Sequence, residues 1–523
     1  MRCQRGGQGG EKYTDTGDSA AMAATGLSAT LDGMANLSYA TGWRKYLWLA
    51  AGIALAVAGT NGEWAIPLAG WVFSLAMMRF ARSSGVWIGS AGVVLGYCVA
   101  TVVLVAASGS LTVPPILVGC VLLSLLLSVP LLADRLLCTR LPVFAATLVF
   151  PATRVALEFL LATFSPLGTV FGPLATVQST NLPLLQLVSV TGVYGISFLM
   201  AWAAPVVNAV LERRAWRAVA AAYVAVLGLV LFGGSLRLAL APSPQTVRVA
   251  GISVSRDAEQ RMHGLNNFHT PTLTPEQKPV LRKAFAELTD DLFARTRREA
   301  DAGARILAWP EAAGVVLDDD YPEFLRTARE LAVDKHIYLD LGLAVVQAGD
   351  PPTRDIAVLV TPDGQIESTY DKAHPVPGME NLRPGDGRVP VAASPYGRLG
   401  HLICFDADFP RTARARADIV FVPSNDWPGV ARTHAADTVF RAVENGYGIL
   451  RQTSNGIAIA VDAYGTPLAR SDYFASTEHS MVVSMPTRGT RTIYGMVGDV
   501  FAWLCVAGAA GLAAAGVLRS SRS

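Results

Sequence analysis

Residues 398–417, RLGHLICFDADFPRTARARA, read as a β-strand, a sharp turn and then a helix. Short β-like runs and amphipathic helices alternate around this stretch, from residue 245 to residue 490. An alternation of this kind predicts an α/β sandwich. It places Cys404 at an elbow between strand and helix, where the first N–H groups of the helix would face the thiol, favour a thiolate and hold an oxyanion.

The other elements of this globular part follow from the same patterns. Apolar alternation and amphipathic periodicity predict strands at 246–254, 305–312 and 337–346 and helices at 276–300 and 321–335. Two β-hairpins that turn at a D-G and a Y-G pair are predicted at 357–370 and 457–470. These hairpins flank the Cys404 stretch.

The rest of the chain is too apolar for an ordinary soluble enzyme. The 523 residues have a mean hydropathy of +0.37, and only 16% of them are charged. The apolar residues are concentrated in eight segments of about the length that crosses a bilayer, at 45–61, 64–81, 86–107, 113–133, 141–164, 187–211, 218–240 and 499–518. The net charge of +2 comes without a basic stripe, so nothing indicates a nucleic-acid partner.

Lys and Arg are distributed unevenly between the short loops that join these segments. Every second loop is rich in these cations, whereas the loops between, at 61–63, 108–112 and 165–186, carry no Lys or Arg. By the positive-inside rule both ends of the bundle then face the cytoplasm, and seven spans put residues 245–490 on the extracytoplasmic side. Alternate loops on the cytoplasmic side carry eleven of these cations, namely Arg44, Lys45, Arg79, Arg82, Arg135, Arg140, Arg213, Arg214, Arg217, Arg519 and Arg522.

The composition therefore predicts four regions. The N-terminal residues are rich in Gly, Ser, Ala and Thr without periodicity, which is typical of disorder. The predicted regions are a disordered tail at 1–42, a bundle of seven membrane helices at 43–241, a globular α/β domain at 242–492, and a C-terminal transmembrane helix with a short cytoplasmic tail at 493–523.

One ion pair is predicted at membrane depth. Arg154 and Glu158 lie one helical turn apart within the fifth apolar segment. Ionisable groups at such depth face the interior of a bundle or a wet cavity. The pair is therefore either a buried structural contact or part of a substrate cavity, and the sequence leaves both readings open.

Two charged residues outside the cysteine stretch are candidates for chemistry. A cysteine nucleophile needs a base and a counter-charge. AWPEAA, at 308–313, ends a predicted strand with Glu311. Lys372 follows a predicted hairpin strand in STYDKAHPVPGME, which ends with Glu380. No His has metal-ligand spacing with another His or Cys, so neither a metal nor a cofactor is predicted.

The ordered set of a Glu after WP, a Lys before VPxxE and a Cys after LIC resembles the nitrilase superfamily, whose fold is a four-layer α-β-β-α sandwich. With seven apolar segments before it and one after it, the chain resembles the apolipoprotein N-acyltransferase family from about residue 45 onwards. Further matching pieces are SNDW at 424–427, His434, RAVE at 441–444, LRQTSNG at 450–456 and YGMVGD at 494–499. The fold class implied is a polytopic α-helical membrane bundle joined to a nitrilase-like α/β sandwich domain.

This resemblance implies the roles of the candidate residues. Glu311 would be the general base, Cys404 the nucleophile and Lys372 the cation that stabilises the oxyanion, with Glu380 as a second acidic residue that supports the site. The family usually has Tyr-Glu after the cysteine, whereas this chain has Phe405 and Asp406.

A tryptophan completes the candidate supporting residues. Trp427 is read first as a packing residue, with substrate lining as the alternative.

The resemblance also implies the reaction. It is the transfer of an acyl chain from a phospholipid, through a cysteine thioester, to the α-amino group of a diacylated lipoprotein. The expected setting is the bacterial inner membrane, in contact with membrane lipid, with the catalytic domain of a monomer on the periplasmic side. Two alternatives stay open: a membrane-tethered amidohydrolase or an acyltransferase for another amine, and a non-enzymatic transporter or receptor with a degenerate nitrilase domain.

Overall fold

The computed structural model describes residues 42–60, 64–109, 114–170, 173–213, 216–255, 276–476 and 480–520. The predicted disordered tail, residues 1–42, lies outside the described residues apart from Gly42. The boundaries of the four predicted regions stay a prediction.

The long apolar segments fold as helices. Prolines lie inside three of them, at Pro130, Pro151 and Pro205, which a membrane bundle tolerates because neighbouring groups satisfy the freed carbonyls. The described helices before the globular domain are α1 (Lys45–Thr60), α2 (Pro67–Ser83), α3 (Val86–Ala107), α4 (Pro114–Leu137), α5 (Val143–Phe164), α6 (Leu182–Leu185), α7 (Val188–Thr191), α8 (Tyr194–Leu211) and α9 (Trp216–Ala239).

Several of these helices can cross a membrane, as predicted, although the number of eight is approximate. Within the described residues six helices are long and apolar enough by length and composition. The helices α1 and α2 have 16 and 17 residues, fewer than the roughly 20 that a perpendicular span needs. The sixth predicted segment was placed too early: its helix begins at Tyr194, because Gly192 has a φ of 67° and ends the short helix α7.

The globular domain alternates strands and helices, and both predicted hairpins are present. Its elements are β1 (Thr246–Ile252), α10 (Gln277–Asp301), β2 (Ile306–Ala308), β3 (Gly314–Leu317), α11 (Tyr321–Lys335), β4 (Tyr338–Val346), β5 (Thr353–Val360), β6 (Ile366–Asp371), β7 (Val391–Ser394), β8 (Gly397–His401), β9 (Ile419–Phe421), β10 (Ser424–Asn425), α12 (Ala431–Asn445), β11 (Gly448–Arg451), β12 (Thr453–Ser454), β13 (Ile457–Val461), β14 (Pro467–Asp472), β15 (Ser480–Pro486) and α13 (Ile493–Val497). The helix α14 (Val500–Ser520) then returns to the bundle.

Two sheets form the centre of this domain. One runs in the order β15-β1-β2-β4-β5-β6, with β3 also paired to β4, and the other runs β14-β13-β11-β9-β8-β7. Side chains from both sheets, such as Val249 and Leu399, form the core between them. The helices α10 and α11 pack on the first sheet and α12 packs on the second, so the predicted α-β-β-α order of layers is confirmed.

The catalytic candidates lie at one edge of this sandwich because of strand direction. The strands β8, β9 and β11 are parallel to one another, and so are β2 and β4. Carboxyl ends of parallel strands meet at the same edge of a sheet. Residues that follow these strands, Glu311 after β2 and Cys404 after β8, are thereby collected at one end of the domain.

Candidate active site

Cys404 stands in a constrained turn directly after strand β8. Its φ is 44°, a left-handed conformation that is unusual for a residue with a side chain and that clusters at functional sites. Its backbone N–H donates to the carbonyl of Pro423 at 2.8 Å. The side chain is buried, with 5% exposed, and its Sγ lies 3.9 Å from the carbonyl oxygen of Asn425.

The predicted helix after Cys404 was wrong. The structure has a single 3₁₀ turn, Cys404–Asp408, and then extended backbone at Phe409. Two causes act together: Pro410 disfavours helical backbone at Phe409, and the carboxylate of Asp406 accepts the N–H groups of Ile403 and His374. A five-residue 3₁₀ turn has little macrodipole, so the expected activation of the thiol by a helix N-terminus does not apply.

Lys372 joins the candidate base to a second carboxylate. Its Nζ donates to Glu311 Oε1 at 2.5 Å and to Glu380 Oε1 at 2.7 Å. The lysine side chain is 1% exposed and that of Glu311 is 5% exposed. The other oxygen of Glu380 accepts the N–H of Val376 at 2.7 Å, which fixes the loop after β6 over the lysine.

The electrostatics of the cluster separate a permanent cation from a neutral thiol. Burial alone would lower the pKa of Lys372, but the carboxylates of Glu311 and Asp355 outweigh it, and the pKa is raised well above its usual value. Burial and then the charge of Glu311 raise the pKa of the Cys404 thiol, which Lys372 only partly opposes. Cys404 is therefore a thiol at rest and needs a base to become a nucleophile.

The sequence predicts that Glu311 ends a strand, but in the structure Glu311 stands in a turn beyond the end of strand β2. The strand β2 ends at Ala308, and the N–H of Trp309 still donates to the backbone carbonyl of Asp340 across the sheet at 2.8 Å. The chain then turns, with Ala312 at a φ of 51°. This turn directs Glu311 towards Lys372.

The structure also locates the predicted supporting residues. Asp406 accepts the hydroxyl of Tyr370 at 2.9 Å, and burial raises its pKa to about 6. Phe405 packs edge-on against Phe409, with ring centroids 5.3 Å apart. Trp427 Nε1 donates to the carbonyl of Ser108, next to the end of α3, at 2.6 Å, so Trp427 joins the catalytic domain to the bundle.

A second ionic cluster, to which the sequence assigned no role, lies beside Cys404. Asp426 accepts two hydrogen bonds from Arg451, at 2.7 and 2.8 Å, and one contact from His434 Nδ1 at 2.8 Å. Burial alone would raise the pKa of Asp426, but Arg451 and His434 hold it below its usual value. The motifs SNDW and LRQTSNG contain Asp426 and Arg451. The order of the strands in the sheet brings these two residues together, and the spacing of residues in the sequence does not reveal that order.

Among the residues that the structure describes, two groups of side chains have donor atoms close enough to hold a metal ion. They are Cys404 with Asp426 and His434, and Glu311 with Asp355 and Glu380; within each group the atoms lie within 4.8 Å of one another. In the second group Lys372 already bonds two of the carboxylates. The sequence could not reveal the first group, because Cys404 stands in the turn after β8, Asp426 follows β10 and His434 lies on α12.

An apolar cavity of about 490 Å³ lies where the bundle meets the catalytic domain. Its wall includes Ala100 of α3, Leu127 of α4, Ala435 of α12 and Arg154. Arg154 bonds Glu158 at 2.6 Å, and Glu158 also accepts the N–H of Leu174 at 3.1 Å. The pair is therefore a buried structural contact, and its Arg154 also forms part of the cavity wall.

This cavity is linked to the turn that carries Cys404. Val170, in its wall, follows Thr169, whose N–H donates to the carbonyl of Asp408 at 2.8 Å. Asp408 is the last residue of the Cys404 turn.

Comparison with known proteins covers both parts of the chain. Residues 49–206 match the family model of the apolipoprotein N-acyltransferase N-terminal domain, and residues 272–488 match that of carbon-nitrogen hydrolase. The apolipoprotein N-acyltransferase of Geobacter metallireducens is 28% identical over 71% of this chain and 74% of its own, and that of Bradyrhizobium diazoefficiens is 28% identical over 63% and 66%. The crystal structure of an amidase from Nesterenkonia sp. is 22% identical, covers 48% of this chain and 94% of that chain, and has a TM-score of 0.35. With both family models matched in order and these relatives similar along most of its length, the chain belongs to the apolipoprotein N-acyltransferase family.

Proposed function

We propose that this enzyme transfers an acyl chain from a phospholipid to the α-amino group of the diacylglyceryl-cysteine of apolipoproteins, through a thioester on Cys404. The observation that carries the proposal is the buried cluster of Lys372, Glu311 and Cys404 at the end of the catalytic domain that touches the bundle. A thiol, a base and a fixed cation are the groups that acyl transfer by covalent catalysis requires.

The first half-reaction uses these three residues in turn. Glu311 takes the proton of the Cys404 thiol, and the sulfur attacks the ester carbonyl of the phospholipid. Lys372 stabilises the negative charge on the tetrahedral intermediate. The intermediate expels the lysophospholipid alkoxide, which receives the proton from Glu311, so this step releases no net proton.

The second half-reaction consumes the thioester. The α-amino group of the acceptor is mostly ammonium at neutral pH and must lose a proton before it attacks. Glu311 accepts a proton as the C–N bond forms, and the proton returns to the sulfur of Cys404 as the C–S bond breaks. The surplus proton of the ammonium passes to solvent.

We also propose that the catalytic domain lies on the periplasmic side of the inner membrane. Two loops predicted to be extracytoplasmic support this topology by their contacts with that domain: Ser108 with Trp427, and Thr169 with Asp408. Reporter fusions after residue 215 and after residue 245 should report opposite sides of the membrane. Identical readouts from the two fusions would exclude this topology.

The activity is tested by incubating the purified enzyme with phospholipid and a diacylated lipopeptide. We expect mass spectrometry of the lipopeptide N-terminus to find one added acyl chain, with an equal amount of lysophospholipid formed. In a parallel incubation, small amides replace the lipopeptide, and their hydrolysis is measured. Hydrolysis of the amides without acylation of the lipopeptide would favour the membrane-tethered amidohydrolase instead.

A further inference from the structure

Three carboxyl groups and one ammonium group share the buried space around Lys372. The carboxyl groups belong to Glu311, Glu380 and Asp355, and an oxygen of each lies within 4.8 Å of the others. Asp355 stands on strand β5, beside Lys372 at the end of β6, and its carbonyl accepts the N–H of Lys372 at 3.0 Å. If all three carboxyl groups were charged, the single ammonium would leave two negative charges uncompensated.

The three carboxyl groups are unequally bonded. Lys372 Nζ lies 2.5 Å from Glu311 and 2.7 Å from Glu380, but 3.6 Å from Asp355 Oδ2. Asp355 is 8% exposed, and its Oδ1 has no hydrogen-bond partner among the described residues. A buried carboxylate without donors is costly, whereas a protonated carboxyl can donate to the charged oxygen beside it.

We propose that Asp355 is a positioning residue that keeps its proton and donates a hydrogen bond to Glu311. Lys372 then holds one side of the Glu311 carboxylate and Asp355 holds it from a second direction. The base is thereby fixed in one orientation and only one negative charge of the cluster stays uncompensated. This inference rests on the proposed role of Glu311 as the base for Cys404.

The charges that surround Asp355 act in the same sense. Burial and then the carboxylate of Glu311 raise its pKa well above the usual value, against the opposing effect of Lys372. Glu380 adds to the increase. Tyr370, on strand β6, is close enough to Asp355 to interact with its charge, although its hydroxyl donates to Asp406.

A polar cavity connects Asp355 to water. It has a volume of about 510 Å³, and its wall includes Asp355, Lys372, Arg354 and Asp371. This cavity is separate from the apolar one on the bundle side, with which it shares no wall residue. Asp355 can therefore equilibrate its proton with solvent without passing the reacting atoms.

A protonated Asp355 determines in which direction the rate of the first half-reaction changes with pH. A group that works in its protonated form supports the reaction below its pKa and fails as the pH rises through it. The first half-reaction should therefore slow on the alkaline side as Asp355 ionises. Lys372 does not produce this decline until higher pH, because its pKa is raised above the ordinary lysine value, and ionisation of Cys404 would act in the opposite direction.

The test measures the rate of thioester formation from phospholipid alone. The intact mass of the enzyme is recorded over time at each pH across the range. Asp355→Asn retains the size and a donor but cannot ionise, so we expect a rate within about threefold of the wild type at neutral pH and no alkaline decline. Asp355→Leu has a similar size but no donor, and its rate should fall about tenfold or more. Asp371→Asn removes a carboxylate from the rim of the same cavity and should keep the wild-type profile.

Three results would overturn the proposal. Asp355→Asn could lose as much activity as Asp355→Leu, which would mean that the site needs a carboxylate there. The second is an Asp355→Asn variant that keeps the alkaline decline of the wild type. The third is an Asp355→Leu variant that reacts at the wild-type rate. A wild-type enzyme that forms no thioester would contradict the proposed function itself, and that result is distinct from all three.

Discussion

Two of the ionic clusters within the described residues differ in charge balance. In the bundle, Arg79 and Arg82 face Asp134 and Glu212, two cations against two anions, with contacts of 2.9 to 3.3 Å. In the catalytic domain, Lys372 alone faces three carboxyl groups. The first cluster is neutral as it stands. The second carries two uncompensated negative charges when all three carboxyl groups are ionised, and one when Asp355 keeps its proton.

This difference separates a structural role from a chemical one. Balanced buried pairs satisfy their own charges and hold helices together, but they have no reason to exchange protons. An unbalanced cluster has perturbed pKa values and is where proton transfer is found in enzymes. We therefore expect mutations in the two clusters to affect different measurements.

Lys372→Met should break the catalytic cluster with the largest effect. Removing one group that stabilises a developing oxyanion typically costs about 2.7–4 kcal/mol, a loss of about 100- to 1,000-fold in rate. The measurement is the rate of thioester formation in single turnover. Lys278→Met is the control, since Lys278 pairs with Asp319 on the surface, and its rate should stay near that of the wild type. Equal losses in both variants would refute a special role for Lys372.

Asp134→Leu should break the balanced cluster and act on stability instead. It removes the bidentate partner of the largely buried Arg82, which keeps its contact to Glu212, so we expect a loss of about 3 kcal/mol, at the lower end of the cost of breaking a buried ion pair. The measurement is thermal unfolding in detergent together with the thioester rate of the folded fraction. The double variant Arg82→Met/Asp134→Leu should recover part of the lost stability. A folded Asp134→Leu enzyme of normal stability but without activity would contradict the distinction.

Trp427→Phe tests the junction between the two regions and should have the smallest effect. It removes the hydrogen bond to the carbonyl of Ser108 but keeps an aromatic ring, so we expect a loss of about 1 kcal/mol in stability and less than about tenfold in rate. The same change at Trp87, which is 87% exposed, is the control. If Trp427→Phe abolished thioester formation, Trp427 would have a role in the chemistry beyond the junction.

The sequence predicted the sandwich and its catalytic candidates because both depend on local signals. Alternating apolar residues mark the strands, and parallel strands collect their carboxyl ends at one edge, so Glu311 and Cys404 could be expected near each other. Lys372 followed from its place after a hairpin strand.

The turn after Cys404 could not be predicted in this way. Asp406 is compatible with a helix by its local sequence, but it is bonded to Tyr370 and to the N–H groups of Ala373 and His374, more than 30 residues earlier in the chain. Those bonds form only when the two sheets have packed. The local signal that remained was Pro410, which limits how far a helix could extend.

Asp355 carried no signal at all in the sequence. It stands inside an apolar strand, TRDIAVLV, and reads as an ordinary polar residue at a strand edge. Its significance comes from the register that pairs β5 with β6 and brings its carboxyl group to Lys372. The excess of carboxyl groups around Lys372 arises only in the folded chain.

Acyl transfer through a thioester on Cys404 can be followed by mass. The most direct measurement is the intact mass of the purified enzyme after incubation with phospholipid alone, followed by addition of a diacylated lipopeptide. We predict an adduct of one acyl chain that is absent in Cys404→Ala and Glu311→Gln, and that disappears as triacylated lipopeptide forms. Product without any adduct, or an adduct that persists in Cys404→Ala, would contradict the account.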